Sequence, residues 1–347
     1  MKKNLFIISS NLQFINAMEA VEYFKLDNII FLFINISIEE IIINFYTSIF
    51  NNIKYNFYFY KKGLLSDVNN IKIINNLKKY NYNYIFLGYF SHQNRLISCN
   101  LLYKNLFLID DGTYTIILHK ELFFKEFFGT SMLITNKYRN KQKLYNFIFF
   151  IKKLFYISFN LKNDFKSYEL NFFTIYNLKK TKNEKIIYNN FFYLKNKISE
   201  KKYSYDKHKV FFLGQALYNI LDVSTDDYIF YIKKIIYLYK KSNISIIYIP
   251  HYREDNEVLI KLSKFKSDYF EIKKIDIPIE LYLINSSILP FKIASFFSSA
   301  LFSIKILYPS ISIESFIIEN NRVKERLDII EIYNRINDKK IKLKYLY

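Results

Sequence analysis

Short apolar runs separated by helix-length stretches constrain this chain more than any other feature. Leu5–Ser9, Ile29–Ile34, Tyr55–Tyr60, Tyr84–Gly88 and Leu106–Asp110 are dominated by isoleucine, leucine, phenylalanine and tyrosine. Between them lie stretches with helical spacing at Asn11–Phe24, Ile38–Phe50 and Asp67–Tyr80. A run apolar on both faces suits a strand covered by helices on either side, and its alternation with helices of about 12 residues marks βαβ units on a parallel sheet. The pattern lapses from about residue 121 and returns at Val210–Gly214. It continues through a helix at Asp226–Lys240, a strand at Ser245–Ile249, a helix at Asn256–Phe265, a strand near Phe270–Ile272, a helix after Pro278 and a strand at Ile293–Phe297. The helix at Asp226–Lys240 carries a start signal in Ser224-Thr225-Asp226-Asp227, where a serine can cap the first turn. A charged helix is expected over Arg322–Arg335.

The fold class expected is therefore α/β, in two similar halves without a fixed-period repeat. Residues 1–209 form a first domain that includes a basic, aromatic-rich segment at 121–209. Residues 210–315 form a second, and 316–347 a C-terminal helix and tail. At 347 residues the chain is long enough for two cores. Glycine and proline, at 5 and 4 residues, are too scarce for loop-rich or low-complexity architecture. The one cysteine, Cys99, excludes an intramolecular disulfide and a cysteine-based zinc site. The apolar run at the start breaks off after four residues into Asn11, Gln13 and Asn16 without a small-residue cleavage site, so it reads as a strand and helix. No run of 18 apolar residues predicts a membrane span.

The formal charge is +20, of which residues 120–209 supply +13. That segment mixes Phe, Tyr, Lys and Asn without a clear period. It suits either amphipathic helices with lysines at an anionic membrane surface, or ordinary helices completing the first domain plus a basic linker.

Open parallel sheets bind ligands beyond the carboxyl ends of their strands. Reading those ends in order gives Asp110-Asp111-Gly112, Gly214-Gln215, Pro250-His251-Tyr252-Arg253-Glu254, Pro278-Ile279-Glu280 and Ser298-Ser299. Adjacent carboxylates repel, so one of Asp110 and Asp111 could serve as a base, while Asp-Gly is also ordinary turn chemistry. His251 could protonate or bind a departing phosphate beside the Arg253 guanidinium; the plainer reading is a polar loop with an exposed ion pair. Ser298 and Ser299 precede a helix start that could hold an anion, or they merely cap it. His92 follows a strand and could touch an acceptor, though a solvated loop explains it as well. No Gly-x-Gly-x-x-Gly, Walker-type or Gly-x-Ser-x-Gly loop is present, which argues against dinucleotide oxidoreductases, P-loop ATPases and serine hydrolases of that type. No Asp-x-Asp pair offers ligands for a metal-bridged nucleotide sugar.

Taken together, Asp110-Asp111-Gly112, residues 248–254, Pro278-Ile279-Glu280 and residues 298–301 resemble the bacterial sialyltransferases. The similarity is greatest to glycosyltransferase family 52, which includes lipooligosaccharide sialyltransferases. Some members carry His-Pro where this chain has His251-Tyr252. The resemblance implies a GT-B fold with two Rossmann-like domains facing a central cleft. It also implies an inverting transfer of sialic acid from CMP-sialic acid to a galactose-terminated lipooligosaccharide or other surface glycan, with no cofactor and no metal. By the same resemblance His251 is the acid at the CMP phosphate, and Arg253, Ser298 and Ser299 hold that phosphate. Glu280 contacts cytidine, and Gly214 and Gln215, at the end of the first strand of the second domain, join the nucleotide-binding set. The base is Asp110, Asp111 or, after Gly214-Gln215, Asp222. A cytoplasmic location with peripheral contact to the inner face of the membrane is expected, and a homodimer by analogy. Nucleic acid is not an expected partner, because the charge clusters away from the strand-end motifs. The same fold with another nucleotide sugar, or a non-enzymatic basic protein that binds polyanions or membrane surfaces, are the alternatives.

Overall fold

A computed structural model describes residues 2–34, 55–60, 66–124, 151–152, 154–162, 170–181, 184–221, 223–318 and 326–346. Two compact units divide the chain, the second running from Tyr193 to Tyr347.

The first unit carries a seven-stranded sheet in the order β3-β2-β1-β4-β5-β6-β7. Its strands are β1 (Lys3–Ile8), β2 (Ile29–Ile34), β3 (Tyr55–Tyr60), β4 (Asn81–Leu87), β5 (Leu102–Ile109), β6 (Leu170–Thr174) and β7 (Ile186–Tyr188). Every pairing is parallel. Among the described helices of this unit are α1 (Asn11–Phe24), α2 (Ser66–Leu77), α3 (His92–Cys99) and α4 (Tyr114–Phe123). β2 is buried along its whole length, as its unbroken apolar sequence requires. Phe6 of β1 stacks on Phe86 of β4 at 4.4 Å and meets Phe31 of β2 at 5.3 Å, so aromatic layers run across the strands. Each such fully buried ring contributes about 1.5–3 kcal/mol. α1 starts where Ser10 accepts from the Gln13 amide at 3.3 Å and ends at Lys25 with φ 51°.

The second unit has a six-stranded parallel sheet in the order β10-β9-β8-β11-β12-β13. Its strands are β8 (Ser204–Leu213), β9 (Ser245–Ile249), β10 (Phe270–Ile272), β11 (Ile288–Ser295), β12 (Ser312–Ile317) and β13 (Lys342–Tyr345). Its helices are α5 (Phe192–Ser199), which begins at the unit boundary, α6 (Leu217–Ile220), α7 (Thr225–Lys241), α8 (Asn256–Ser263), α9 (Ile279–Asn285), α10 (Ala300–Leu307) and α11 (Leu327–Asp338). Counted from its own first strand, each sheet runs 3-2-1-4-5-6, the Rossmann order, and the first adds a seventh strand.

Strands at Ile29–Ile34, Tyr55–Tyr60 and Ser245–Ile249 and the helix at Asn11–Phe24 stand where the sequence places them. The expected helix at Ile38–Phe50 lies outside the described residues. The segment 121–209, expected to hold helices and a linker, is helical at 154–158 and in α5 among its described residues, and it also supplies β6 and β7 to the first sheet. Both strands are short and sit among lysines and asparagines, so periodicity does not reveal them. The boundary expected after 209 falls inside β8, whose N-terminal half is mostly exposed and polar. Residues 316–347 are more than a helix and tail: they close the second sheet with the end of β12 and all of β13. β11 begins five residues earlier than its apolar core suggests, because Pro290 interrupts the pattern. Pro290 has no amide hydrogen to donate, and the β8–β11 register shifts beside it.

Candidate functional site

Both sheets reverse their winding beside their first strand, between β1 and β4 and between β8 and β11. Loops leaving strands on either side of such a point diverge and open a crevice at the carboxyl edge. In the second unit that edge carries Gly214-Gln215 after β8, Pro250-His251 after β9 and residues 296–299 after β11. β8 lies between the other two, so at a strand spacing of about 4.8 Å the three loops spread over roughly 10 Å.

Gln215 ties two of these loops together. Its side-chain oxygen accepts from the Phe297 amide at 2.9 Å and the Ser295 hydroxyl at 3.3 Å. Its own amide donates to the Tyr228 hydroxyl at 3.2 Å. Gly214 extends the ladder, donating to the Ile249 carbonyl at 2.8 Å. It needs no unusual backbone angle; its constraint is space. A Cβ there would lie 2.2 Å from Glu254 Oε1 and 2.5 Å from the Tyr248 hydroxyl.

His251 is half-buried, and its Nδ1 accepts from the Arg253 amide at 3.2 Å. That bond fixes the neutral ring with its proton on Nε2. Burial, and then the Arg253 charge, push the imidazole down to about 4. The ring is therefore neutral at pH 7 and offers Nε2–H as a donor. Arg253 is exposed, with its guanidinium 5.0 Å from the centre of the Tyr252 ring. The expected exposed ion pair between Arg253 and Glu254 does not form: Glu254 is 9% exposed and bonded to tyrosines instead.

Ser299 precedes α10 in helical geometry with no capping bond from its side chain, while Ser298 Oγ accepts from the Ala300 amide at 3.3 Å. Among the described residues the backbone amides of Ser298 and Ser299 have no acceptor. Two open amides, a free hydroxyl and a helix start make an anion-binding corner. Glu280 sits in the first turn of α9 at 3% exposure, accepting from the Ser303 hydroxyl at 2.5 Å. Burial raises its carboxyl, and the bond links α9 to α10. Asp222 lies outside the described residues.

In the first unit the two aspartates separate. Asp110 is 1% exposed. It accepts from the Thr174 hydroxyl at 2.6 Å and the Ile175 amide at 2.7 Å, joining β5 to the end of β6. Burial holds its carboxyl up at about 7 against those two bonds. Asp111 is half-buried and accepts from the Gln13 side-chain amide at 2.7 Å. Gly112 takes φ 66°, a left-handed turn suited to glycine, and the chain enters α4. Of the pair, Asp110 is enclosed and Asp111 keeps part of its surface exposed.

Sequence reasoning missed Gln13. Only 1% exposed, it accepts from the Ser9 amide at 2.7 Å and donates to Asp111. A Cβ on Gly88 would fall 2.2 Å from its oxygen. The signal that could have exposed it is a set of polar residues, Gln13, Asn16 and Glu19, on the buried side of a helix between two apolar strands. His92 opens α3, and His119 is buried 3.3 Å from Glu184, leaving neither at the strand ends of the second unit. Among the described residues no helix is long and apolar enough to cross a membrane.

No protein-family model and no curated protein matches the sequence. Among solved structures, the chain is similar to the α/β-galactoside α-2,3-sialyltransferase of Photobacterium phosphoreum, at 13% identity and TM-score 0.51, over 100% of this chain and 99% of that one. It is similar to S. aureus MnaA solved with UDP, at 12% identity and TM-score 0.51, over 97% and 88%. It is also similar to a putative UDP-N-acetylglucosamine 2-epimerase of Listeria monocytogenes, at 10% identity and TM-score 0.53, over 98% and 89%. At 10–13% identity the likeness carries architecture alone: the chain has an α/β fold of GT-B type, with two Rossmann-like units.

Proposed function

We propose that this protein is an inverting, metal-independent glycosyltransferase that moves sialic acid from CMP-sialic acid to a galactose-terminated lipooligosaccharide or similar glycan. One observation carries the reading: an Nε2–H imidazole and a guanidinium after β9, and a helix start with open amides after β11, lie at the carboxyl edge on either side of β8. Such a set suits a phosphate monoester, the group that departs with CMP. Charge develops on that phosphate as the glycosidic bond breaks, and donors already in place stabilise it without reorganising. His251, neutral at pH 7, donates a hydrogen bond from Nε2–H to a phosphate oxygen and keeps that proton, so it stabilises the departing CMP as a donor and not as an acid. Arg253, Ser298 and Ser299 hold the phosphate oxygens. Glu280 acts through α10, whose start it steadies by way of Ser303. Gly214 and Gln215 shape the floor. The acceptor hydroxyl loses its proton to an aspartate, and Asp111, oriented by Gln13, is assigned ahead of Asp110. A base in place is worth about 100- to 10,000-fold.

CMP release from CMP-sialic acid in the presence of a galactose-terminated acceptor tests the reading. Wild type releases CMP and His251→Ala loses at least about 100-fold; equal activity in the two proteins refutes it. The likeness to MnaA solved with UDP and to the putative UDP-N-acetylglucosamine 2-epimerase favours a second reading, another nucleotide sugar as substrate. UDP-glucose and UDP-N-acetylglucosamine in the same assay separate the two.

A further inference from the structure

The 251–254 loop is held from beneath. Both carboxylate oxygens of Glu254 accept from the Tyr248 hydroxyl, at 2.9 and 2.7 Å. The Tyr228 hydroxyl is 2.7 Å from that of Tyr248 and 3.4 Å from Glu254 Oε1. Glu254 Oε1 also accepts from the backbone amide of His251 at 3.3 Å, while the Glu254 amide donates to the His251 carbonyl at 2.9 Å. The two residues thus close a reciprocal turn. With the Arg253 amide on His251 Nδ1 and the Asp255 amide on the Tyr218 hydroxyl at 2.7 Å, residues 251, 253, 254 and 255 each have a satisfied backbone donor. Three segments contribute: α7 through Tyr228, β9 through Tyr248 and the loop after β8 through Gly214, whose missing Cβ makes the room.

Geometry points to a role beyond packing. We infer that Glu254 is a positioning residue for His251: clamped by Tyr228 and Tyr248, its carboxylate sets the 251–254 turn, so that the imidazole keeps its proton on Nε2 and offers it to the donor phosphate. That the Nε2–H meets a phosphate rests on the transferase reading; the clamp does not.

The cluster can hold a proton in either arrangement. With Glu254 ionised, Tyr248 donates to it and Tyr228 donates to Tyr248. With Glu254 protonated, its own O–H donates to Tyr248, Tyr248 to Tyr228, and Tyr228 to the remaining carboxyl oxygen. Neither state strands a buried donor, so the site titrates without unfolding. Burial raises the Glu254 carboxyl to about 7, against bonds from Tyr248, the His251 amide and Tyr228. The other titratable or charged groups around it are Tyr218 on α6 and, in the loop, His251, Arg253 and Asp255. Protonation weakens the acceptor that holds the His251 amide, so the orientation of the imidazole follows the charge on Glu254 and not its own titration near 4.

The test is histidine-¹⁵N NMR on the full chain without ligand, with His251 assigned by loss of its signal in His251→Ala. Wild type shows the Nε2–H tautomer and an inflection in the His251 shifts near pH 7. Glu254→Gln, which keeps the shape, abolishes the inflection and drives the shifts toward a tautomer average. Tyr248→Phe removes a donor that lowers the Glu254 carboxyl, so it moves the inflection to higher pH. If Glu254→Gln leaves the His251 tautomer and pH curve unchanged, the inference is overturned, including where only the thermal midpoint falls. CMP is then added to wild type: a shift at His251 Nε2 supports the phosphate role, and its absence with the Glu254 coupling intact refutes the transferase reading alone.

Discussion

Replacing Gly214 by alanine tests the arrangement under His251 with a single methyl group. The backbone at Gly214 is not left-handed, so alanine brings no conformational penalty and would even stabilise by about 0.4–1 kcal/mol through the unfolded chain. The obstacle is contact: 2.2 Å to Glu254 Oε1, 2.5 Å to the Tyr248 oxygen and 2.8 Å to Tyr248 Cζ. Tyr248 is fully buried on β9 with its ring parallel to Phe212 at 5.9 Å, so it has little room to move. Glu254 must therefore give way. Overpacking of this kind costs about 1–3 kcal/mol, and breaking the bonds of a buried carboxyl adds about 1–3. The net expected is roughly 3 kcal/mol, a fall of about 6–12 °C in the midpoint of the second unit by calorimetry. A cycle with Glu254→Ala isolates the cause. Removing the carboxylate relieves the shortest contact, so the double variant is less destabilised than the sum by at least about 1 kcal/mol, with Tyr248 preventing full recovery. Additive effects within about 0.5 kcal/mol, or an unchanged midpoint for Gly214→Ala, would refute the reasoning.

Four further outcomes follow from the same geometry. Asp111→Asn lowers transfer by about 100-fold or more with little change in melting, while Asp110→Asn destabilises by about 1–3 kcal/mol through the Thr174 and Ile175 donors; steady-state rates and thermal melts of both separate base from strut. The first unit loses stability as pH rises from about 4 to 7, by on the order of 4 kcal/mol, because folded Asp110 retains its proton to about 7 whereas the unfolded chain releases it near 3.8; Asp110→Asn flattens the urea-unfolding profile. In the second unit Glu254 destabilises as pH rises from 4.5 toward 7, and neutral His251 stabilises as pH rises from about 4 to 6.5; the two oppose each other between 4.5 and 6.5, and His251→Ala exposes the falling Glu254 slope. Gln13→Leu keeps the bulk but removes the Gln13 bond to Asp111, so kcat falls more than KM for the acceptor; an unchanged kcat would remove Gln13 from the site.

Much of the architecture is legible in the chain itself, for a local reason. Strands such as Ile29–Ile34 and, after Ser245, residues 246–249 are buried on both faces, so their residues must be apolar and the run announces itself. β6, β7 and β13 do not, since short or edge strands tolerate lysine and asparagine, and β11 hides its first half behind Pro290. Site residues at strand ends are likewise found by topology: a break after a buried run locates Gly214, His251 and Ser298. Their roles are another matter. Asp110 and Asp111 are equivalent in sequence, and only tertiary contacts make the first a strut to β6 and leave the second beside Gln13.

The sequence by itself determined the alternation of buried strands and helices, and with it two parallel sheets whose loops gather at the carboxyl edge. Hydrophobic burial depends on near-neighbour pattern, which one chain records. The structure alone decided which polar groups meet: Glu254 with Tyr228 and Tyr248, Gln13 with Asp111, Gln215 with the end of β11. Those partners lie 6 to 98 positions apart, and a hydrogen bond across such separations is set by the packing of the elements that carry it, not by local spacing.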